Sequence, residues 1–125
     1  MFIPTNPNPL GVHTSDCVIR ALAIAQDQSW EQTYIELSMQ GFVMGDWGNA
    51  NIVWSAYLKD RGFKRYAIPN TCPSCFTVKD FCQKYPEGTY ILATGTHVVA
   101  VIDGNYYDLW NSGDEVPQYY WKKEM

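Results

Sequence analysis

An α+β domain is what these 125 residues predict, and three observations carry the prediction. Apolar residues recur at helical spacing in the first half of the chain. Short apolar and β-branched runs fill the second half. Between two of those runs stands Asp103-Gly104, a dipeptide suited to a two-residue hairpin turn because both turn positions require a positive φ. Helices first and an antiparallel sheet afterwards make one domain, residues 1–125, with 1–14 as an extended arm.

The arm, "MFIPTNPNPLG", is rich in Pro and Asn. Ser15 or Asp16 caps a first helix that begins near Cys17, and Val18, Ala21, Leu22 and Ala25 share its apolar face. Ser29 with Gln32 forms a capping box for a second helix, whose stripe is Trp30, Tyr34 and Leu37 and whose stop is Gly41. "GDWGNAN" is a loop. Asn49 or Asn51 opens a third helix that ends with Gly62 after Arg61. "FKRYAIP" reads as a strand closed by Pro69, and Thr77 caps a short helix that stops before Pro86. Strands follow at Thr89 to Ala93, His97 to Ile102 and Asn105 to Trp110, with a fourth at Gln118 to Lys122.

Composition narrows the function classes. Apolar residues make up 46% and charged residues 18%, as in an ordinary globular domain. The net charge of -4 argues against a nucleic-acid partner, since phosphate binding needs a basic surface. No apolar run reaches the length that spans a bilayer, so no membrane partner is expected. The N-terminus lacks the pattern of a signal peptide, and a cytoplasmic location is the expectation. Four cysteines in that compartment are expected to be reduced.

Chemistry concentrates on three residues. A helix N-terminus lowers the pKa of a thiol, and Cys17 stands in a first turn. Of the two histidines, His13 lies in the arm and His97 opens a strand that would keep a base aimed. With Asp103 and Gly104 as turn residues, Ile102 faces Asn105, Val99 faces Asp108 and His97 faces Trp110. Asp108 therefore lies one diagonal step from His97 on the same face. Asn111 falls on the other face unless the strand bulges, and stands in reserve as the residue that orients the imidazole.

The order helix Cys, strand His, then Asp or Asn resembles that of papain-like cysteine peptidases. "NPLGVHTSDCVIRALAIA" and "GTYILATGTHVVAVIDGNYYDLWNS" further resemble a group of small papain-like proteins of gut bacteria and their phages. The resemblance implies a papain-like fold, N-terminal helices packed on a C-terminal antiparallel sheet. It implies Cys17 as nucleophile, His97 as general base and Asp108 as orienting acid, acting on a peptide or isopeptide bond of a peptide or protein substrate without a cofactor. The family places a polar side chain, usually Gln, upstream of the cysteine. Here Asn8 or Asn6 would replace it as an oxyanion donor, beside the backbone N–H of Cys17. A chain this short is not expected to form a deep substrate cleft. The alternative is a papain-like binding module, without turnover, for a host or phage protein.

The remaining motifs are weaker. "CPSC", Cys72 to Cys75, could be a redox pair or half a zinc site, but no second ligand pair completes it, and no metal is expected. Trp47, between Gly45 and Gly48, is a candidate substrate-binding residue, with partial burial as its default. Arg20, one turn after Cys17, is expected to pair with an acid. "NSGDEVP" reads as a solvated turn.

Overall fold

Local chemistry accounts for most of the helix ends in the computed structural model, which describes residues 1–124. α1 (Cys17–Ala25) follows Asp16, but the Asp16 side chain makes no capping bond because its carboxylate is engaged elsewhere. α2 (Trp30–Met44) starts at Ser29, whose hydroxyl accepts the Gln32 N–H at 3.1 Å. The expected capping box is half made, since the Gln32 amide donates to Glu36 instead. The helix also runs past Gly41 to Gly45, which takes a φ of 75°. Gly41 is a contact glycine rather than a stop: a Cβ there would lie 2.5 Å from the Asp46 carbonyl oxygen. α3 (Asn51–Asp60) follows Ala50, with no side-chain cap from either asparagine. α4 (Val78–Lys84) carries a complete capping box of Thr77 and Asp80.

Six strands form one sheet: β1 (Phe2–Pro4), β2 (Phe63–Ala67), β3 (Thr89–Ala93), β4 (Val98–Ile102), β5 (Asn105–Asp108) and β6 (Tyr119–Lys123). Their order is β1-β5-β4-β3-β6-β2. The sheet is mixed, not purely antiparallel, because the start of the arm pairs parallel with β5. An open β5 edge would leave main-chain groups without partners. The arm supplies them: Tyr106 N–H donates to the Met1 carbonyl, and Thr5 N–H to that of Asp108. Phe2 seals the join against the Tyr106 ring, 5.5 Å between centroids.

The hairpin turn forms as its residues require. Asp103 and Gly104 have φ of 49° and 78°, and Ile102 pairs with Asn105. The two faces of the sheet are both covered, so β3 and β4 read as near-continuous apolar runs. Ile91, Ala93, Val98 and Ala100 pack with α1 and α3 residues such as Leu22, Trp54 and Leu58. Tyr90, Leu92, Val99 and Val101 pack with Val78 and Phe81 of α4. Helices thus lie on both sides of the sheet.

Two further expectations are corrected. Cys72 and Cys75 form a disulfide, with Cα atoms 4.1 Å apart, so the four cysteines are not all reduced. The loop folds back across its two-residue spacer and brings the sulfurs together; Cys17 and Cys82 remain free. The 111–117 loop is only in part a solvated turn: Asn111, Asp114 and Val116 are exposed, but the rest is built into the fold. Its Gly113 and Glu115 carbonyls accept the Lys79 and Val78 N–H groups, which the first turn of α4 cannot satisfy itself, and Ser112 is wholly buried. Among the described residues, no helix is long and apolar enough to cross a membrane.

Candidate active site

The site forms where β4 begins and β5 ends, beyond their last ladder pair, Ala100 with Tyr107. His97 stands one residue before β4. Thr94 holds it from both sides: its Oγ1 accepts the His97 N–H at 3.0 Å, and its N–H donates to the His97 carbonyl at 2.8 Å. Asp108 is the last residue of β5 and is 1% exposed. Its Oδ2 meets His97 Nε2 at 2.5 Å. With Nε2 occupied, Nδ1 is the ring nitrogen left for Cys17, whose thiol shares one cavity with His97 and has its pKa lowered by it. The Trp110 ring covers the imidazole, 4.9 Å between centroids, at the pairing position the hairpin register predicts.

Asp108 is held at both oxygens. Oδ1 accepts the Leu109 N–H at 2.8 Å and Arg20 Nη1 at 3.1 Å. Oδ2 accepts the Ser112 hydroxyl at 2.7 Å as well as the imidazole. Arg20 is itself buried, and its Nε donates to Asp16 Oδ1 at 2.7 Å. Asp16 Oδ2 accepts the Trp30 indole N–H at 2.9 Å. Asp16, Arg20, Asp108 and His97 thus form one chain of polar contacts that ends beside Cys17. It ties the helix that carries the thiol to the hairpin that carries the imidazole.

The charges support one another. Burial by itself would raise the Cys17 thiol. The hydrogen bond from His97, the Val98 backbone contact and the nearby positive charges of His97 and Arg20 outweigh it and lower the thiol from its ordinary value. Burial by itself would lower His97, yet its bonds to Asp108 and Cys17 hold the imidazole up at about 9. Burial opposes the Asp108 charge too, and the bonds from His97 and Ser112 bring its pKa below the usual carboxylate value. The imidazolium and the Asp108 carboxylate favour each other's charge, and His97 and Arg20 shift Cys17 towards its thiolate form.

Sequence reasoning and structure meet on Cys17, His97 and Asp108, which are in contact. Other residues are placed elsewhere. Asn111 turns away, its Oδ1 accepting the Tyr106 hydroxyl and the Gly113 N–H. Asn8 is buried with its Oδ1 on the Leu10 N–H, and Asn6 is tied to Asn8 N and the Val12 carbonyl. Neither lines the cavity of about 340 Å³ that holds Cys17 and His97. The side-chain amides that do are those of Asn49, Asn51 and Gln118. Asn8 instead lines an adjoining groove of about 640 Å³, and so does Trp47, which is 80% exposed rather than partly buried. Trp47, the candidate substrate-binding residue, therefore does line a groove beside Cys17. His13 is exposed in the arm. Ser112 and the link from Arg20 to Asp108 were missed, and Gln118 was read only as the start of a strand. Among the described residues, no three His, Cys, Asp or Glu side chains converge as a metal-binding group.

No protein-family model, curated protein or solved structure matches the chain.

Proposed function

We propose that this chain is a papain-like thiol hydrolase that cleaves a peptide or isopeptide bond of a peptide or protein substrate. The observation that carries the reading is the placement of Cys17, at a helix N-terminus, in one cavity with His97, whose other ring nitrogen is bonded to Asp108. Cys17 Sγ, as thiolate, attacks the carbonyl carbon and forms the S–C bond. The negative oxygen that results faces the Cys17 N–H, a first-turn donor without a helical acceptor. The Asn49, Asn51 and Gln118 amides provide the side-chain donors at hand. His97 Nδ1 gives its proton to the leaving amine as the C–N bond breaks, and a thioester remains. Water then loses a proton to Nδ1 and attacks that thioester. The acid product leaves, and thiolate and imidazolium are restored. Asp108 stays ionised throughout and keeps the ring oriented.

Alkylation tests the premise. Iodoacetamide at pH 6, read by mass spectrometry, is expected to label Cys17 well before Cys82. Equal, slow labelling of both would remove the case for an activated thiol. Selective labelling with no cleavage of a diverse peptide library would leave a binding module of the same fold.

A further inference from the structure

We infer that the groove between the N-terminal arm, α2 and the α2–α3 loop is the substrate side-chain site, and that it takes an apolar, non-acidic polypeptide segment. The inference rests on the thiol-hydrolase reading and adds the class of substrate. Position is the first argument. The groove and the Cys17 cavity share Ser15, Val18 and Asn49 as walls. A polypeptide whose carbonyl lies on Cys17 can continue into the groove without leaving the surface.

Chemistry is the second argument. Leu10, Val12, Tyr34, Phe42 and Trp47 come from three separate segments, and all line this concavity. They are between 46% and 84% exposed. Single apolar side chains at a surface are ordinary, but convergence on one concave wall marks a binding region. These five are not held out of water by the fold itself. An aromatic or branched aliphatic side chain seated among them would cover them.

Charge selects among apolar occupants. The carboxylates on the groove wall are Asp16 and Asp46; no Lys, Arg or His lines it. Asp16 is compensated by Arg20, whereas Asp46 is exposed. An acidic segment would find no counter-charge there and would face Asp46. A second copy of the chain is a poorer occupant, because each copy carries a net charge of -4. The far side of α2 makes the contrast: Ile35, Met39 and Val43 also line a hollow, but it shares no wall with the Cys17 cavity.

Two chloromethyl ketones of equal length test the inference, acetyl-Leu-Phe-Gly and acetyl-Asp-Glu-Gly. Each alkylates a thiolate with loss of chloride, so the rate at Cys17 reports binding next to it. The apolar probe is expected to saturate and to react at least about 10-fold faster than the acidic one, since one well-seated apolar side chain is worth about that much discrimination. Phe42→Ala and Trp47→Ala should each lower the apolar-to-acidic ratio several-fold, about 10-fold at most. Val43→Ala, on the far side of α2, should leave the ratio as it is. Equal rates for the two probes, or a ratio indifferent to Phe42→Ala and Trp47→Ala, would overturn the inference. So would sedimentation showing a dimer that Phe42→Ala dissociates, because the occupant would then be a second copy. Failure of the underlying reading looks different: iodoacetamide would then label Cys17 no faster than Cys82, and the groove would lose its role as well.

Discussion

Cys17 and Cys82 are both free thiols on helices, and they titrate in opposite directions. Cys82 lies on α4 among Val78, Phe81, Tyr90 and Val101, and burial raises its pKa with little to oppose it. Burial acts on Cys17 in the same sense and is the largest single influence there too. The difference lies in the partners. A hydrogen-bonded imidazole, a backbone contact and two positive charges reverse the direction at Cys17. Burial therefore acts alike on both thiols, and it is the polar and charged neighbours that separate them.

Removing the imidazole should erase the contrast most completely. His97→Ala is expected to slow iodoacetamide labelling of Cys17 at pH 6 on the order of 100-fold, towards an ordinary thiol that is almost wholly protonated there. Cys82 labelling should not change. The polar chain behind the imidazole is the next target. Arg20→Met leaves Asp16 and Asp108 buried without their cation, and breaking such a pair costs about 3–5 kcal/mol. Urea unfolding would measure it, and a loss below about 1 kcal/mol would show that these contacts do not support the fold.

Asp108→Asn sharpens the comparison at the level of charge. The amide can still bond the ring but does not stabilise an imidazolium. His97 should fall from about 9 towards its ordinary 6.5, and the Cys17 thiol should rise, costing about 10-fold or more in labelling at pH 6. The pH dependence of stability has a definite sign. The Asp108 pKa is depressed in the fold, so its ionic stabilisation is present above the ordinary carboxyl value of 3.8. It disappears as pH falls through the lowered value. The stability gap between the parent and Asp108→Asn should therefore be widest between pH 3.8 and 6.5; it should narrow in acid, and again as pH rises towards about 9, where His97 loses the proton that Asp108 stabilises, and a gap indifferent to pH would contradict the assignment.

Smaller effects complete the series. Ser112→Ala removes one hydrogen bond to a charged, buried oxygen and should cost about 1.5 kcal/mol, with a modest slowing of Cys17 labelling. Cys82→Ala should leave Cys17 labelling untouched. A change there would mean that the two faces of the sheet are coupled in a way their separate cores do not suggest.

Much of the site was legible because its signals are local. The Asp103-Gly104 turn sets the register of β4 against β5, and the period of two along a strand then puts Asp108 on the His97 face. Element types followed from spacing and turn residues in the same way, with Thr77 and Asp80 capping α4 as a pair. Helix ends were less legible. Gly41 has the composition of a stop but serves a close approach of Asp46, which sequence spacing does not reveal.

What the sequence by itself determined, then, is the four helices and five of the six strands, the hairpin register, and the three residues able to meet at its open end. Tertiary structure decided the rest, because it depends on contacts between distant segments that leave no periodic trace. Arg20 could have paired with any acid, and only the packing of α1 against the sheet brings it to Asp108, 88 residues away. The arm looked unpaired until the open edge of β5 offered it hydrogen bonds. The wall that Asn8 and Trp47 occupy was set by where the arm and the α2–α3 loop come to rest beside α2.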